Sequence, residues 1–418
     1  SSDTLFNPGY DQDMNDHTFS GPGRRNAGLL SGLQALGGAN PALVVALGGL
    51  VGQQLASNPE HATVPVSLFN LGMALGILPA AFFMRKIGRR NAYFLGSALG
   101  IMGGLTAYFG IINSSFLIFC LGTILAGFYS SYVQNYRFAA ADSVAKQWRP
   151  KAISWVMLGG LVAAVVATQL IMFTRDLSPE TPFAATFLAQ AALAALAIPL
   201  IALLRADVIA QPSSKSSEDG PQGRSLWQII QNPRFVVAVI TGMVSYSLMS
   251  FMMTASPLAM INHGHSLRDS TLGVQWHILA MFSPSFFTPM LINRFGKITV
   301  TIAGILLLGT ASVAALSGLT VFHFWASLIL LGVGWNFSFI GATTLVTDCY
   351  RPEETSRVQA FNDFLIFGSV TISSFSSGQL LALRGWEGIN SWTFPIVGVV
   401  TLALIGLALS ERRQSTAT

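Results

Sequence analysis

The chain has 418 residues, of which 52% are hydrophobic and only 10% are charged, far below the roughly 25% charge of soluble domains. Such a composition excludes an ordinary soluble protein and indicates a chain that lies in lipid. The net charge of +5 comes from short basic clusters between long apolar runs, which is typical of membrane-protein loops, so a nucleic-acid partner is not expected.

The chain begins with a polar segment. The first 25 residues contain four aspartates and no apolar run, which does not fit a secretory signal peptide. We therefore predict a solvated cytoplasmic tail over residues 1–25, and the first transmembrane helix must itself direct insertion.

Apolar segments of about 20 residues, the length that crosses a bilayer core, follow this tail. Six precede a polar stretch, near residues 28–55, 63–84, 93–112, 116–138, 152–173 and 182–204. Six more follow it, near residues 235–257, 272–292, 298–317, 322–346, 358–382 and 392–410. The sequence predicts an all-α membrane protein with twelve transmembrane helices in two bundles, 26–204 and 235–410, a cytoplasmic linker over 205–234 and a cytoplasmic tail over 411–418.

The basic residues predict the orientation of these helices. If both termini are cytoplasmic, the inner segments carry 20 of the 23 Lys and Arg residues. Only Arg175, Arg268 and Arg384 then lie outside. The positive-inside rule therefore predicts a multi-pass protein of the bacterial inner membrane with both termini in the cytoplasm.

Two landmarks recur at an offset of about 208 residues. The stretch Arg85–Arg90 after the second helix is matched by Asn293–Lys297 after the eighth, and Asp142 after the fourth helix is matched by Asp348 after the tenth. This duplication is typical of transporters whose substrate site lies between two pseudo-symmetric halves.

The first landmark resembles the loop signature of the major facilitator superfamily, which is a glycine, three residues, Asp-Arg, one residue, Gly and two basic residues. The matching positions are Arg85, Gly88, Arg89 and Arg90 in one copy and Arg294, Gly296 and Lys297 in the other. Arg85 and Asn293 replace the acidic member. The resemblance implies a major facilitator fold of two pseudo-symmetric six-helix bundles that works by alternating access, usually as a monomer.

Soft metal ligands cluster in helices 7 and 8. Met249 and Met253 are four residues apart, as are His277 and Met281, and this spacing places each pair on one helical face. Thioethers favour Cu(I) over hard cations. The alternative is that the methionines are packing residues, and that the histidine bonds a backbone carbonyl or couples protons.

These pairs, together with Met253–Met260, Phe282–Phe287 and Gly334–Phe337, resemble CcoA-type copper importers of the superfamily. The resemblance implies copper uptake across the inner membrane for the assembly of cbb3-type cytochrome oxidase. Copper is then the transported substrate and no cofactor is expected. Met249, Met253, His277 and Met281 would be its ligands, and a thiol relay would have only Cys120 and Cys349.

Uptake of riboflavin or of another small metabolite is the alternative, because the resemblance extends to relatives in the same subfamily that move riboflavin. A flavin needs aromatic and amide groups, which helices 4 and 10 supply as Tyr129, Tyr132, Gln134, Asn135, Tyr136, Trp335 and Asn336, although such residues also pack between helices.

Drug efflux is the third choice. An enzyme is not expected, because the chain has no phosphate loop, zinc-protease helix or nucleophile elbow.

Two ionisable residues in the helices remain, Arg137 near the inner end of helix 4 and Asp363 in helix 11. Either is a candidate for coupling or gating. The simpler interpretation is an inner-face ion pair that latches the halves in one state, together with the loop charges Asp142, Arg149, Asp348 and Arg351.

Overall fold

The computed structural model describes residues 21–209 and 223–416 and, within them, helices, turns and no strand. The helices that cross the membrane are α1 (Gly21–Leu55), α2 (Val64–Ile87), α3 (Arg89–Ile112), α4 (Phe116–Asp142), α5 (Arg149–Thr174), α6 (Ala184–Leu203), α7 (Pro233–Asn262), α8 (Leu267–Phe282), α9 (Lys297–Leu316), α10 (Val321–Thr347), α11 (Thr355–Ser391) and α12 (Thr393–Thr416). The predictions for residues 1–20, 210–222 and 417–418 lie outside the described residues.

Ten stretches of the described chain are long and apolar enough to cross a membrane, and they contain all of these helices except α8. The last stretch, Arg357–Arg413, holds both α11 and α12, and Gly385 interrupts α11 with a φ of 65°. The helix α8 has only 16 residues and reaches across the membrane with the short helix Thr288–Phe295 that follows it.

The predicted single helix over residues 272–292 is therefore wrong. A 3-10 turn, Ser283–Phe286, separates α8 from Thr288–Phe295, because Pro284 lacks the N–H that a continuous helix needs. Asn336 of α10 stabilises this break, since its side-chain amide donates to the Met281 carbonyl at 2.8 Å and accepts from the Thr288 hydroxyl at 2.6 Å. A side chain that satisfies freed backbone groups makes such a break tolerable in a membrane.

Several predicted boundaries also differ from the observed ones. The first helix begins at Gly21, inside the predicted tail over 1–25, and the last helix continues to Thr416, inside the predicted tail over 411–418. The linker predicted over 205–234 ends in helical structure from Pro233. Hydropathy marks only the lipid-exposed part of a helix, whereas the helix itself continues wherever polar ends find partners, as Asn26 does on the Arg205 backbone.

Glycines allow the helices within a half to touch through their backbones. A Cβ on Gly72 of α2 would lie 2.3 Å from the Ile124 carbonyl of α4, and a Cβ on Gly127 would lie 2.2 Å from the Phe69 carbonyl. Close approach through small residues is how membrane helices associate. The run Gly100–Gly104 of α3 follows the same rule, because Cβ atoms there would meet α4 and α6.

The repeated loop signature folds in the same way in both halves. Gly88 and Gly296 adopt φ values of 82° and 88°, which a residue with a Cβ rarely adopts. The basic residue that follows each glycine then pairs with the aspartate at the end of the helix after it. Arg89 lies 2.8 Å from Asp142 and Lys297 lies 2.6 Å from Asp348.

Each of these ion pairs joins two helices of one half rather than the two halves, so Asp142 and Asp348 do not latch the halves together in this conformation. Asp348 also accepts from Arg234 of α7 at 2.8 Å, and Arg234 pairs with Glu411 of α12 at 2.7 Å. The charged network therefore fixes the inner end of the second half as a unit.

The end of the linker is fixed to the second half by Arg224. Its guanidinium and backbone N–H all donate to Glu354, at 2.7 to 3.0 Å, and Glu354 is fully buried. The hydrogen bonds from Arg224 lower the pKa of Glu354 from its ordinary 4.5 to about 2. The carboxylate is therefore charged at neutral pH and holds the linker at the loop between α10 and α11.

Replacing Glu354 with glutamine is expected to destabilise the protein at neutral pH. The difference in stability between the variant and the native protein should depend on pH. Because the folded pKa lies below the ordinary value, the stabilisation is complete above about pH 4.5 and is lost as the pH falls through about 2. Unfolding midpoints measured in detergent from pH 7 to pH 3 check this. Glu353→Gln, at an exposed neighbouring position, is the control, and a difference that does not shrink below pH 4.5 would contradict the assignment.

Candidate functional site

A cavity of about 160 Å³ lies between the two halves. The lining residues come from α1, α2, α4 and α5 of the first half and from α7 and α8 of the second. A cavity that holds a single water molecule needs a volume of roughly 10–15 Å³. A cavity of about 160 Å³ therefore suits a small organic molecule better than a bare ion.

The cavity is closed at the end of the molecule opposite the chain termini, which we call the outer face. Two hydrogen bonds join the halves within the described residues, and both end on Ser374 of α11. Thr63 donates to its carbonyl at 3.1 Å and Asn70 donates to its hydroxyl at 2.7 Å. Gly378, one turn further along α11, lies so close that a Cβ would be 2.1 Å from the Thr63 hydroxyl.

The cavity opens toward the inner face, which carries the termini and the repeated loops. Gln134 and Arg137, near the inner end of α4, line it and are exposed. Arg137 is the one charged residue among the described residues of its lining. The structure is thus closed outside and open inside.

Three of the four predicted copper ligands line this cavity, namely Met249, Met253 and Met281. His277 does not. Its ring is fully buried and its Nδ1 lies 2.8 Å from the Leu328 carbonyl of α10, which is the backbone-bonded alternative considered for it. Within residues 21–209 and 223–416, no group of three His, Cys, Asp or Glu residues could hold a metal ion.

The two cysteines do not reach the cavity either. Cys120 and Cys349 are both buried and unpaired, and the Cys349 thiol lies 3.3 Å from the Leu345 carbonyl of its own helix. A thiol relay is therefore not built into the cavity.

Of the aromatic and amide residues predicted for a flavin, only Gln134 lines the cavity. Tyr129, Tyr132 and Tyr136 are buried in the interior of the first half, where the Tyr136 ring packs edge-on against Tyr93 at 4.9 Å. The amide of Asn135 accepts from the Tyr93 hydroxyl at 2.8 Å. These residues belong to helix packing, as does Asn336 at the α8 break.

The aromatic side chains that line the cavity are instead Tyr246 and Phe282 of the second half and Phe69 of the first. The Tyr246 ring packs edge-on against Trp335 at 5.3 Å and against Phe339 at 5.2 Å, and those two rings stack on each other at 5.0 Å. Trp335 thus supports the wall from behind. Tyr246 lies in the same helical stretch as Met249 and Met253, so the wall combines an aromatic ring with thioethers.

Sequence reasoning missed Gln34, Asn70, Met73 and Met157, which line the cavity from the first half. The available signal was polarity, because Gln34 and Asn70 are uncharged amides inside otherwise apolar helices. Such residues face a bundle interior or a water-filled cavity.

Asp363 and Arg137 face each other across the two halves without forming an ion pair within 4.0 Å. Their role in coupling or gating stays a prediction.

Fold and site together define a membrane transporter with a central cavity between its two halves. The chain belongs to the Major Facilitator Superfamily, whose family model matches residues 29–374. It is 54% identical over 382 residues to the riboflavin transporter RfnT of Brucella anthropi, covering 91% of this chain and 95% of that protein. It is also 30% identical over 401 residues to the uncharacterized MFS-type transporter YdeG of Bacillus subtilis, covering 93% and 92% of the two chains.

Solved structures support the same fold at low sequence identity. The nucleoside transporter NupG superposes with a TM-score of 0.71 at 13% identity, covering 91% of this chain and 98% of that one. The Escherichia coli xylose transporter XylE, in a partially occluded inward-open conformation, gives a TM-score of 0.68 at 13% identity, covering 92% and 97%. The twelve-helix, two-half fold is confirmed.

The copper prediction is wrong. A relative with 54% identity over 91% of the chain is a riboflavin transporter, which overturns copper import and the assignment to the CcoA-type copper importers. The physical reason for the error lies in α7 and α8, where the i, i+4 pairs place methionines on a cavity wall but leave His277 against α10.

Proposed function

We propose that this protein carries riboflavin across the bacterial inner membrane by alternating access. The observation that carries the proposal is the 54% identity to the riboflavin transporter RfnT along nearly the whole chain. The cavity supports it, because its methionine and aromatic wall suits a planar ring system and its amides suit a polyhydroxyl chain.

The direction of transport follows from the predicted orientation. With both termini in the cytoplasm, as the distribution of basic residues favours, the inner face opens to the cytoplasm and the Ser374 contact closes the periplasmic side. The protein would bind riboflavin outside after α2 and α11 separate, and it would release riboflavin from the conformation described here.

Arg137 and Asp363 are suited to close the opposite side. In the conformation described here they lie on different halves and do not pair. When the inner ends approach, α4 and α11 would bring the two charges together and stabilise the outward-open state. We propose that a single chain in the bilayer performs the whole cycle, since the cavity lies within one chain.

Drug efflux is not favoured by the cavity. Hydrophobic cations are attracted by a carboxylate, but the one charged group among the described lining residues is the cationic side chain of Arg137. Repulsion of a second cation in a site of low dielectric constant opposes that class of substrate.

The test is uptake of labelled riboflavin into a riboflavin-auxotrophic bacterium that expresses the protein. The native protein should support uptake, and Tyr246→Leu should lower it roughly tenfold at limiting riboflavin, because stacking of a flat heterocycle on an aromatic ring contributes about 1–3 kcal/mol. Trp227→Ala, an aromatic replacement at an exposed position outside the cavity, should leave uptake unchanged. Absence of uptake by the native protein at normal expression would reject riboflavin as the substrate.

A further inference from the structure

The polar groups that line the cavity are not equivalent, because four of the eight polar side chains are already bonded within the protein. Ser250 and Thr254 of α7 contact the Ser374 hydroxyl at 2.8 and 3.4 Å, and Asn70 donates to it. The Ser130 hydroxyl accepts from Asn40 at 2.8 Å. These side chains serve contacts inside the protein and leave little for a ligand.

Three lining residues are different. The side chains of Gln34 on α1 and of Gln134 and Arg137 on α4 form no hydrogen bond with any residue that the structure describes, although the Arg137 guanidinium lies 4.8 Å from the centre of the Phe138 ring. All three belong to the first half. Two amides and a guanidinium offer many donors and two carbonyl acceptors, and groups of this kind in a cavity bind either water or the polar part of a ligand.

Both halves carry apolar lining, since Phe69, Met73 and Met157 belong to the first half. The second half differs in its hydrogen-bonding groups. Its lining consists of Tyr246, Met249, Met253, Met281, Ile278 and Phe282, besides the two hydroxyls already bonded to Ser374. Aromatic faces and polarisable thioethers bind flat, electron-rich ring systems well. This wall has no free hydrogen-bonding side chain apart from the Tyr246 hydroxyl among the described residues.

We propose that the two halves bind different parts of the substrate, with the ring system against the second half and the hydroxyl chain on Gln34, Gln134 and Arg137 of the first. This inference rests on the proposed riboflavin function and adds the orientation of the substrate. Arg137 and Tyr246 line the same cavity, so the two subsites adjoin, as one molecule with both parts requires.

The division also suggests how binding is linked to the cycle. A ligand held by its ring on one half and by its chain on the other bridges the two halves. It therefore favours conformations in which they approach, because both subsites are filled only when the gap matches the ligand.

The test compares riboflavin with lumichrome, which has the ring system without the hydroxyl chain. Dissociation constants are measured with the purified full-length protein by quenching of flavin fluorescence. Gln134→Leu should weaken riboflavin binding about tenfold, the effect of one lost hydrogen bond to a ligand, and should change lumichrome binding less than roughly twofold. Tyr246→Leu should weaken both ligands to a similar degree.

Gln379→Leu, a replacement of the same kind on α11 outside the cavity, is the control and should leave both constants unchanged. Equal loss of both ligands in Gln134→Leu, with the control intact, would overturn the orientation while leaving riboflavin as the substrate. If Gln134→Leu does not fold, Gln34→Leu takes its place with the same expected selectivity. Native protein that binds lumichrome and riboflavin equally would also overturn the orientation, and native protein that binds neither would reject the function with it.

Discussion

Replacing Asp142 with asparagine is expected to lower the free energy of unfolding by about 3 kcal/mol, because it leaves a buried positive charge without its counterion. The Arg89 side chain is only 4% exposed, and its partners are Asp142 at 2.8 Å and the Ile209 carbonyl at 3.2 Å. An amide in place of the carboxylate keeps the shape and a weak hydrogen bond but not the charge. Chemical denaturation in detergent micelles measures the loss.

The pseudo-symmetric position supplies the control. Asp348 is 35% exposed and its partners Lys297 and Arg234 are 36% and 30% exposed, so solvent screens the charges when Asp348→Asn removes the carboxylate. A loss of at most about 1 kcal/mol is expected there. Equal losses at the two positions would show that burial of Arg89 does not determine the stability of this corner.

Replacing Gly378 with valine is expected to lower riboflavin uptake more than roughly tenfold without unfolding the protein. A Cβ at this position would lie 2.1 Å from the Thr63 hydroxyl, so α2 and α11 must separate beside the Ser374 contact that closes the outer face. Overpacking of this kind costs about 1–3 kcal/mol, which reduces the population of the outward-closed state by roughly 5 to 150 times.

The separation itself can be measured with a cysteine placed in the cavity at Met253, since Cys120 and Cys349 are buried. In the Gly378→Val background a membrane-impermeant maleimide added to the outer face should label Met253→Cys, and in the native background it should not. The control is Gly368→Val on the same helix, where no atom lies within 4 Å of the added Cβ. This variant should keep its riboflavin uptake, and Met253→Cys in its background should not be labelled. Labelling that is equal in all three proteins would show that the α2–α11 contact is not the outer closure.

The sequence by itself determined the class of protein, the number of helices and the duplication. Composition and hydropathy are properties of consecutive residues, and a helix in lipid must satisfy its own backbone, so spans can be read locally. The repeated loop likewise appears in the sequence because the glycine before Arg89 and the glycine before Lys297 each need a positive φ. The boundaries were less certain, since helices such as α1 continue into polar residues that find partners on other helices.

The composition of the site was decided by tertiary structure. Helical spacing predicted shared faces for Met249 with Met253 and for His277 with Met281, but it could not tell which neighbour each side chain meets. His277 is turned to a carbonyl of α10, the tyrosines of α4 are buried in the first half, and Asn336 is occupied by the break in α8. Helical periodicity fixes the direction of a side chain relative to its own helix, whereas the groups that it contacts depend on how twelve helices pack. Only this packing left the side chains of Gln34, Gln134 and Arg137 without a partner in the cavity that Tyr246 also lines.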